Sequence, residues 1–304
     1  LRAKCQFEYR NTPVNNDHNQ TGMNLQNLDD DQVDAKQPET GSESEPEPEA
    51  PPKGMLADFW RALALLSRIP VFIPCDFSAH AMARSVWCWP LVGLFMAGIA
   101  IIPAYVIEIL TGNVMITAIV ATFTLIALTG AMHEDGIADC ADGFGGGLDR
   151  QRKLEIMRDS RIGTYGVVAL VLCLAMRIAL LDAAGESGSM AAILIVMATL
   201  SRAAMPIVTY VFDPAREDGL GKSAGRPDIK VVSAGIAIAL VLVVIVAGAV
   251  TAFMCLIAMM VGASVVGWIA RHQIGGHTGD VLGMTQIISE LLVGIAFIAI
   301  LQIA

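Results

Sequence analysis

The chain has 304 residues, of which 55% are hydrophobic and 16% charged, with a mean hydropathy of +0.59. Soluble domains average about 25% charged residues, so this balance excludes an ordinary soluble domain and is that of a membrane protein. The net charge of −9 gives no basic footprint, which argues against a nucleic-acid binder.

Residues 1–53 hold eleven Asp/Glu against five Lys/Arg and end in GSESEPEPEAPPKG. So few apolar groups cannot repay the entropy of ordering, and a disordered acidic tail is expected over 1–53, with no apolar core of a signal peptide. The polytopic body then occupies 54–304. Met55 to Pro70 places apolar residues at helical spacing, but it also carries Arg61 and Arg68 and is too short to span. A helix lying in the membrane interface is expected there. Seven apolar stretches follow, near 87–110, 114–131, 165–181, 190–212, 231–250, 252–270 and 287–303. Each approaches the length of about 20 residues that a spanning helix needs. The predicted fold is therefore an all-α integral membrane protein of about seven transmembrane helices.

Lys and Arg orient it. They precede the first span and fill 132–164, 213–230 and the stretch after 270, while 111–113, 182–189 and Thr251 have none. With the N-terminus inside, every basic residue of the body but Arg177 and Arg202 falls on the cytoplasmic face of the membrane. Those two lie inside apolar runs, where a structural ion pair and a phosphate-binding role are both open. The six cysteines are scattered without a CxxC pair, so neither a disulfide framework nor a zinc site is expected.

Three polar segments thus share one face. The first contains Asp135, Asp139 and Asp142 at i, i+4 and i+7, one stripe of a helix. Mutually repelling carboxylates so placed suit a hard cation such as Mg²⁺. The second, DPAREDGLGKSAGRPD, mixes glycines with Arg216, Lys222 and Arg226, a composition suited to gripping phosphate. The third, GGHTGDVLG, adds Thr278 and Asp280. Metal carboxylates, glycines and guanidinium groups on one face point to phosphoryl chemistry. His133, His272 and His277 are weaker candidates. An ion-coupled transporter, using Arg177, Arg202 and Glu290, and a lipid-headgroup phosphotransferase are the competing classes.

The stretch HEDGIADCADG from His133, followed by LEIMRDSRIGTYG from Leu154, resembles the cobalamin synthase family, the adenosylcobinamide-GDP ribazoletransferases. The likeness continues through FWRALALLSRIP, AREDGLGKSAGR and GGHTGDVLG, in order, from about Met55 to the C-terminus. It departs at Glu134, which could add a ligand, and at Ala131, where glycine is frequent. The resemblance implies that adenosylcobinamide-GDP and α-ribazole, or its 5′-phosphate, are joined with release of GMP, in a Mg²⁺-dependent late step of coenzyme B12 assembly. It implies Asp135, Asp139, Asp142 and Asp280 as metal ligands, and Asp159 or Asp142 as the catalytic carboxylate. His133, Arg158, Arg161, Arg202, Arg216, Lys222, Arg226 and Thr278 would then hold the substrates.

Overall fold

A computed structural model describes residues 54–72, 75–216, 219, 221 and 225–303. The predicted tail at 1–53 lies outside the described residues, as does Lys222. The body is all helix: α1 (Met55–Leu66), α2 (Ala79–Ser85), α3 (Trp89–Thr111), α4 (Val114–Thr129), α5 (Met132–Gly146) and α6 (Arg150–Ile156). They are followed by α7 (Thr164–Glu186), α8 (Met190–Val211), α9 (Ile229–Ala247), α10 (Ala249–Ile274) and α11 (Gly279–Leu301).

Among the described residues, six helical segments are long and apolar enough to cross a membrane: α2 running on into α3, α7, α8, α9, α10 and α11. The predicted span near 114–131 is broken. At 16 residues, α4 rises only about 24 Å, short of the ~30 Å hydrocarbon core. The chain then bends by 87° into α5, and the pair together meets the spanning criterion. Gly130 (φ 65°) and Ala131 (φ 60°), both left-handed, make the bend. Ala131 is the one described non-glycine residue with positive φ, which costs an L-residue about 1–2 kcal/mol.

Helix α8 is the axis of the bundle. In its apolar window 78% of residues are buried in protein, against 22% for α7 and α9, whose remaining faces are left for lipid. It packs against α3, α7, α9, α10 and α11. Helix α1 lies against α2 and α3, and its Arg61 departs from the surface position that an interfacial helix implies. That guanidinium is buried and donates to Asp58 at 2.6 Å, so the helix turns a charged pair inward and not only an apolar stripe.

The third polar segment is shorter than predicted. Gly275 (φ 82°) ends α10, and the Thr278 hydroxyl accepts the Val281 N–H to begin α11, leaving only 275–278 as a connection. The last span thus begins at Gly279 and not near 287, because Asp280 and Gln286 are absorbed into its first two turns.

Candidate active site

Two glycines decide where the carboxylates meet. Helices α5 and α11 cross with Gly136 against Gly283: a Cβ on Gly136 would lie 2.7 Å from the Asp280 carbonyl oxygen, and one on Gly283 3.2 Å from the Gly136 Cα. Only a residue without a side chain allows this approach. The crossing sets Asp135, next to Gly136, beside the first turn of α11, which carries Asp280. The charges that bear most on the half-buried Asp139 are those of Asp135, Asp280 and Asp142, opposed by Arg216. The Thr278 hydroxyl donates to Asp280 Oδ2 at 3.1 Å, and an Arg216 Nη2 lies 3.7 Å from the same oxygen.

The three polar segments that the sequence places on one face do converge. Pro214 and His277 form a parallel bridge, in which the Ala215 N–H donates to the His277 carbonyl and the His277 N–H to that of Asp213. Arg150, at the start of α6, donates to the carbonyls of Ile274 (2.7 Å) and Ala215 (2.8 Å), and so ties all three together. Arg216 in turn donates to the Leu154 carbonyl on α6. Arg150 passes unnoticed in the sequence because it sits among other surface cations; its work is structural and needs the tertiary fold to be seen.

Below this junction opens a cavity of about 210 Å³. Asp135, Arg216, Thr278 and Asp280 line its polar side, with His133 and His277 beside them. Both imidazoles are buried. Burial holds His277 down, to about 4, so it is neutral at ordinary pH.

Other expected site residues stand elsewhere. Asp142 is buried, and its two oxygens accept the N–H groups of Gly163 (2.7 Å) and Gly166 (2.8 Å) at the start of α7. Spacing groups it with Asp135 and Asp139; the fold spends it on anchoring α5 to α7. A Cβ at either glycine would strike that carboxylate, at 2.5 and 2.4 Å, which gives RIGTYG its two glycines. Replacing Asp142 with Asn removes one of the two charge-assisted acceptors, and a loss of about 1–3 kcal/mol in unfolding free energy is expected. Thermal unfolding in detergent measures it.

Asp159 and Arg161 lie in a second, open cleft that Asp142 also borders, apart from Asp135 and Asp280. Arg161 donates to Asp159 at 2.7 Å and holds its carboxyl down to about 2. A carboxylate so acidic is a poor proton acceptor, which weighs against the general-base role expected for Asp159. Arg158 borders a further shallow cleft with Arg216 and Arg150. Arg226 is exposed and donates to Asp213 and to the Tyr210 carbonyl. Arg202 is buried inside the bundle, outside the main cavity, where it donates to the Ala198 carbonyl.

Arg177 resolves the alternatives that its sequence left open: it is a structural ion pair. It bridges Glu134 on α5 (2.8 Å) and Glu290 on α11 (2.6 Å), all three buried. Glu134 thus gives one oxygen to Arg177 and does not line the cavity that Asp135 borders. Among the described residues no three His, Cys, Asp or Glu side chains converge closely enough to cage a metal ion by themselves.

The model of the family described as Cobalamin-5-phosphate synthase matches residues 58–298. A protein of Sinorhizobium medicae named adenosylcobinamide-GDP ribazoletransferase is 40% identical over 259 residues, covering 78% of this chain and 96% of its own. One of that name from Azorhizobium caulinodans is 42% identical over 251 residues, covering 78% and 93%. A third, from Bradyrhizobium diazoefficiens, is 38% identical over 244 residues, covering 79% and 93%. No solved structure matches the chain. The match takes in α5, the three converging segments and both glycines of the crossing, and the chain belongs to the cobalamin-5-phosphate synthase family.

Proposed function

We propose that this chain is an adenosylcobinamide-GDP ribazoletransferase: it joins adenosylcobinamide-GDP to α-ribazole, or its 5′-phosphate, and releases GMP. In this reading a ribose hydroxyl attacks the phosphorus nearer the cobinamide, and the bond to the GMP oxygen breaks. The hydroxyl proton passes to a carboxylate, and GMP leaves as the phosphate monoester. The observation that carries the reading is the meeting of Asp135, Asp280 and Arg216 across the Gly136–Gly283 crossing, in a chain whose relatives bear that name.

Mg²⁺ fits this donor set. Mg²⁺ is commonly held by one or two carboxylates plus substrate phosphates and water, so a ready cage of protein ligands is not required. Asp135, Asp139 and Asp280 would hold it, and it would supply neutralisation of charge on the pyrophosphate. Arg216 stands where a guanidinium can pair with the same phosphates. The distribution of Lys and Arg supports an active face toward the cytoplasm, in the inner membrane.

The reading is tested with the purified protein. Asp139→Asn is expected to lower transfer by about 100-fold or more, the usual cost of losing one preorganised electrostatic contact, with unchanged thermal unfolding. Wild-type rates from that variant would remove Asp139 from the site.

A further inference from the structure

The 210 Å³ cavity has two unlike sides. Opposite in character to Asp135, Arg216 and Asp280 are the apolar lining residues Leu65, Leu66, Met82, Met132, Met205 and Leu282, drawn from five helices, and Trp89 from a sixth. Phosphates and a cation have no use for such a lining. Four buried polar atoms of the lining residues also have no hydrogen-bond partner among the described residues: Trp89 Nε1, His133 Nε2, His277 Nδ1 and Arg216 Nε. Trp89, His133 and His277 are each at most 3% exposed. Buried polar groups are normally satisfied, and an orphaned indole N–H beside a cavity points to a ligand that supplies an acceptor.

We infer that this apolar chamber is the seat of the acceptor's aromatic base, the benzimidazole of α-ribazole, with the ribose directed toward Asp135 and Asp280. The assignment rests on the transferase reading above and adds which half of the reaction the chamber serves. Size favours the smaller group: the volume falls below the ~300–1,000 Å³ of pockets that enclose drug-sized ligands, and it suits one small heterocycle better than the corrin ring. Polarity selects between the two heterocycles. Guanine presents several donors and acceptors along its edges, which the leucines and methionines would leave unpaired at a cost. A dimethylated benzimidazole offers an apolar body with a single free ring nitrogen, and that nitrogen suits one indole N–H. Methionine sulfur adds favourable contact with an aromatic ring.

The test measures binding of α-ribazole and, separately, of adenosylcobinamide-GDP to the full chain in detergent, with Mg²⁺ present. Two variants are used: Trp89→Phe, which removes the N–H, and Met82→Trp, which fills the space from α2. Both are expected to weaken α-ribazole, Trp89→Phe by about 5–10-fold. Their affinity for adenosylcobinamide-GDP should equal that of the wild type, which also certifies their folding. A loss confined to adenosylcobinamide-GDP would overturn the assignment in favour of guanine. Unchanged binding of both ligands by both variants would overturn it as well. A wild-type chain that binds neither ligand would overturn the transferase reading itself, and the assignment with it.

Discussion

Replacing Gly136 with alanine is expected to abolish transfer while the bundle still assembles. The added methyl would lie 2.7 Å from the backbone oxygen of Asp280 and 3.1 Å from the Gly283 Cα, and neither can rotate away as a flexible side chain could. Restoring ordinary contact requires α5 and α11 to separate by about 1 Å, and Asp135 and Asp280 move apart with them. A displacement near 1 Å in a catalytic constellation costs about 100-fold in rate, so a loss at least that large is expected. Alanine is otherwise the best helix former, and the packing of α8 against α3, α10 and α11 is not touched. Membrane insertion and the amount of protein extracted should therefore match the wild type. Turnover within a few-fold of normal would show that the crossing does not set the site.

The second large effect concerns stability. Arg177→Met would leave Glu134 and Glu290, with side chains only 10% and 3% exposed, without the cation that pairs with both, and the Arg202 nearby makes no ion pair with either among the described residues. Breaking a buried pair by removing one partner costs about 3–5 kcal/mol, chiefly the penalty of the stranded charge. Here one cation serves two carboxylates on different helices, and Gln286 supplies only a 3.3 Å contact to Glu290. A fall in thermal unfolding temperature and in extractable protein is expected. Changing Glu134 and Glu290 to glutamine in the same chain should restore most of it, since the amides carry no charge to strand. Full stability of the single variant would mean the triad is not buried as described.

Much of this was legible in the sequence. Hydropathy marks the spans because a helix in lipid has to be apolar along its whole exposed length. The three polar segments stand out by their cations, and the i, i+4 relation of Asp135 and Asp139 survives as a shared helix face. Helical spacing could not tell that Asp142, on the same stripe of α5, is spent on anchoring α7: that depends on which glycines reach it, Gly163 and Gly166, 21 and 24 residues on. Nor could it separate Trp89 from a lipid-facing tryptophan, since α3 is apolar all round and offers no moment to read. The bend at Gly130–Ala131 is hidden for a related reason. An alanine does not announce a left-handed backbone, and the end of the apolar run at 131 reads equally well as the end of a straight span. Arg202 looks like a phosphate ligand in sequence because intramembrane arginines are often functional, yet its guanidinium lies in the bundle interior.

The measurement that bears most directly on the central claim is product formation by the full chain in membranes. Adenosylcobinamide-GDP and α-ribazole are supplied with Mg²⁺, or with EDTA in its place, and both corrinoid product and released nucleotide are quantified. One GMP for each adenosylcobalamin formed, with loss of both in EDTA, is the predicted result. Folded protein that yields no corrinoid product, or that instead transfers a headgroup from a nucleotide-activated lipid, would contradict it.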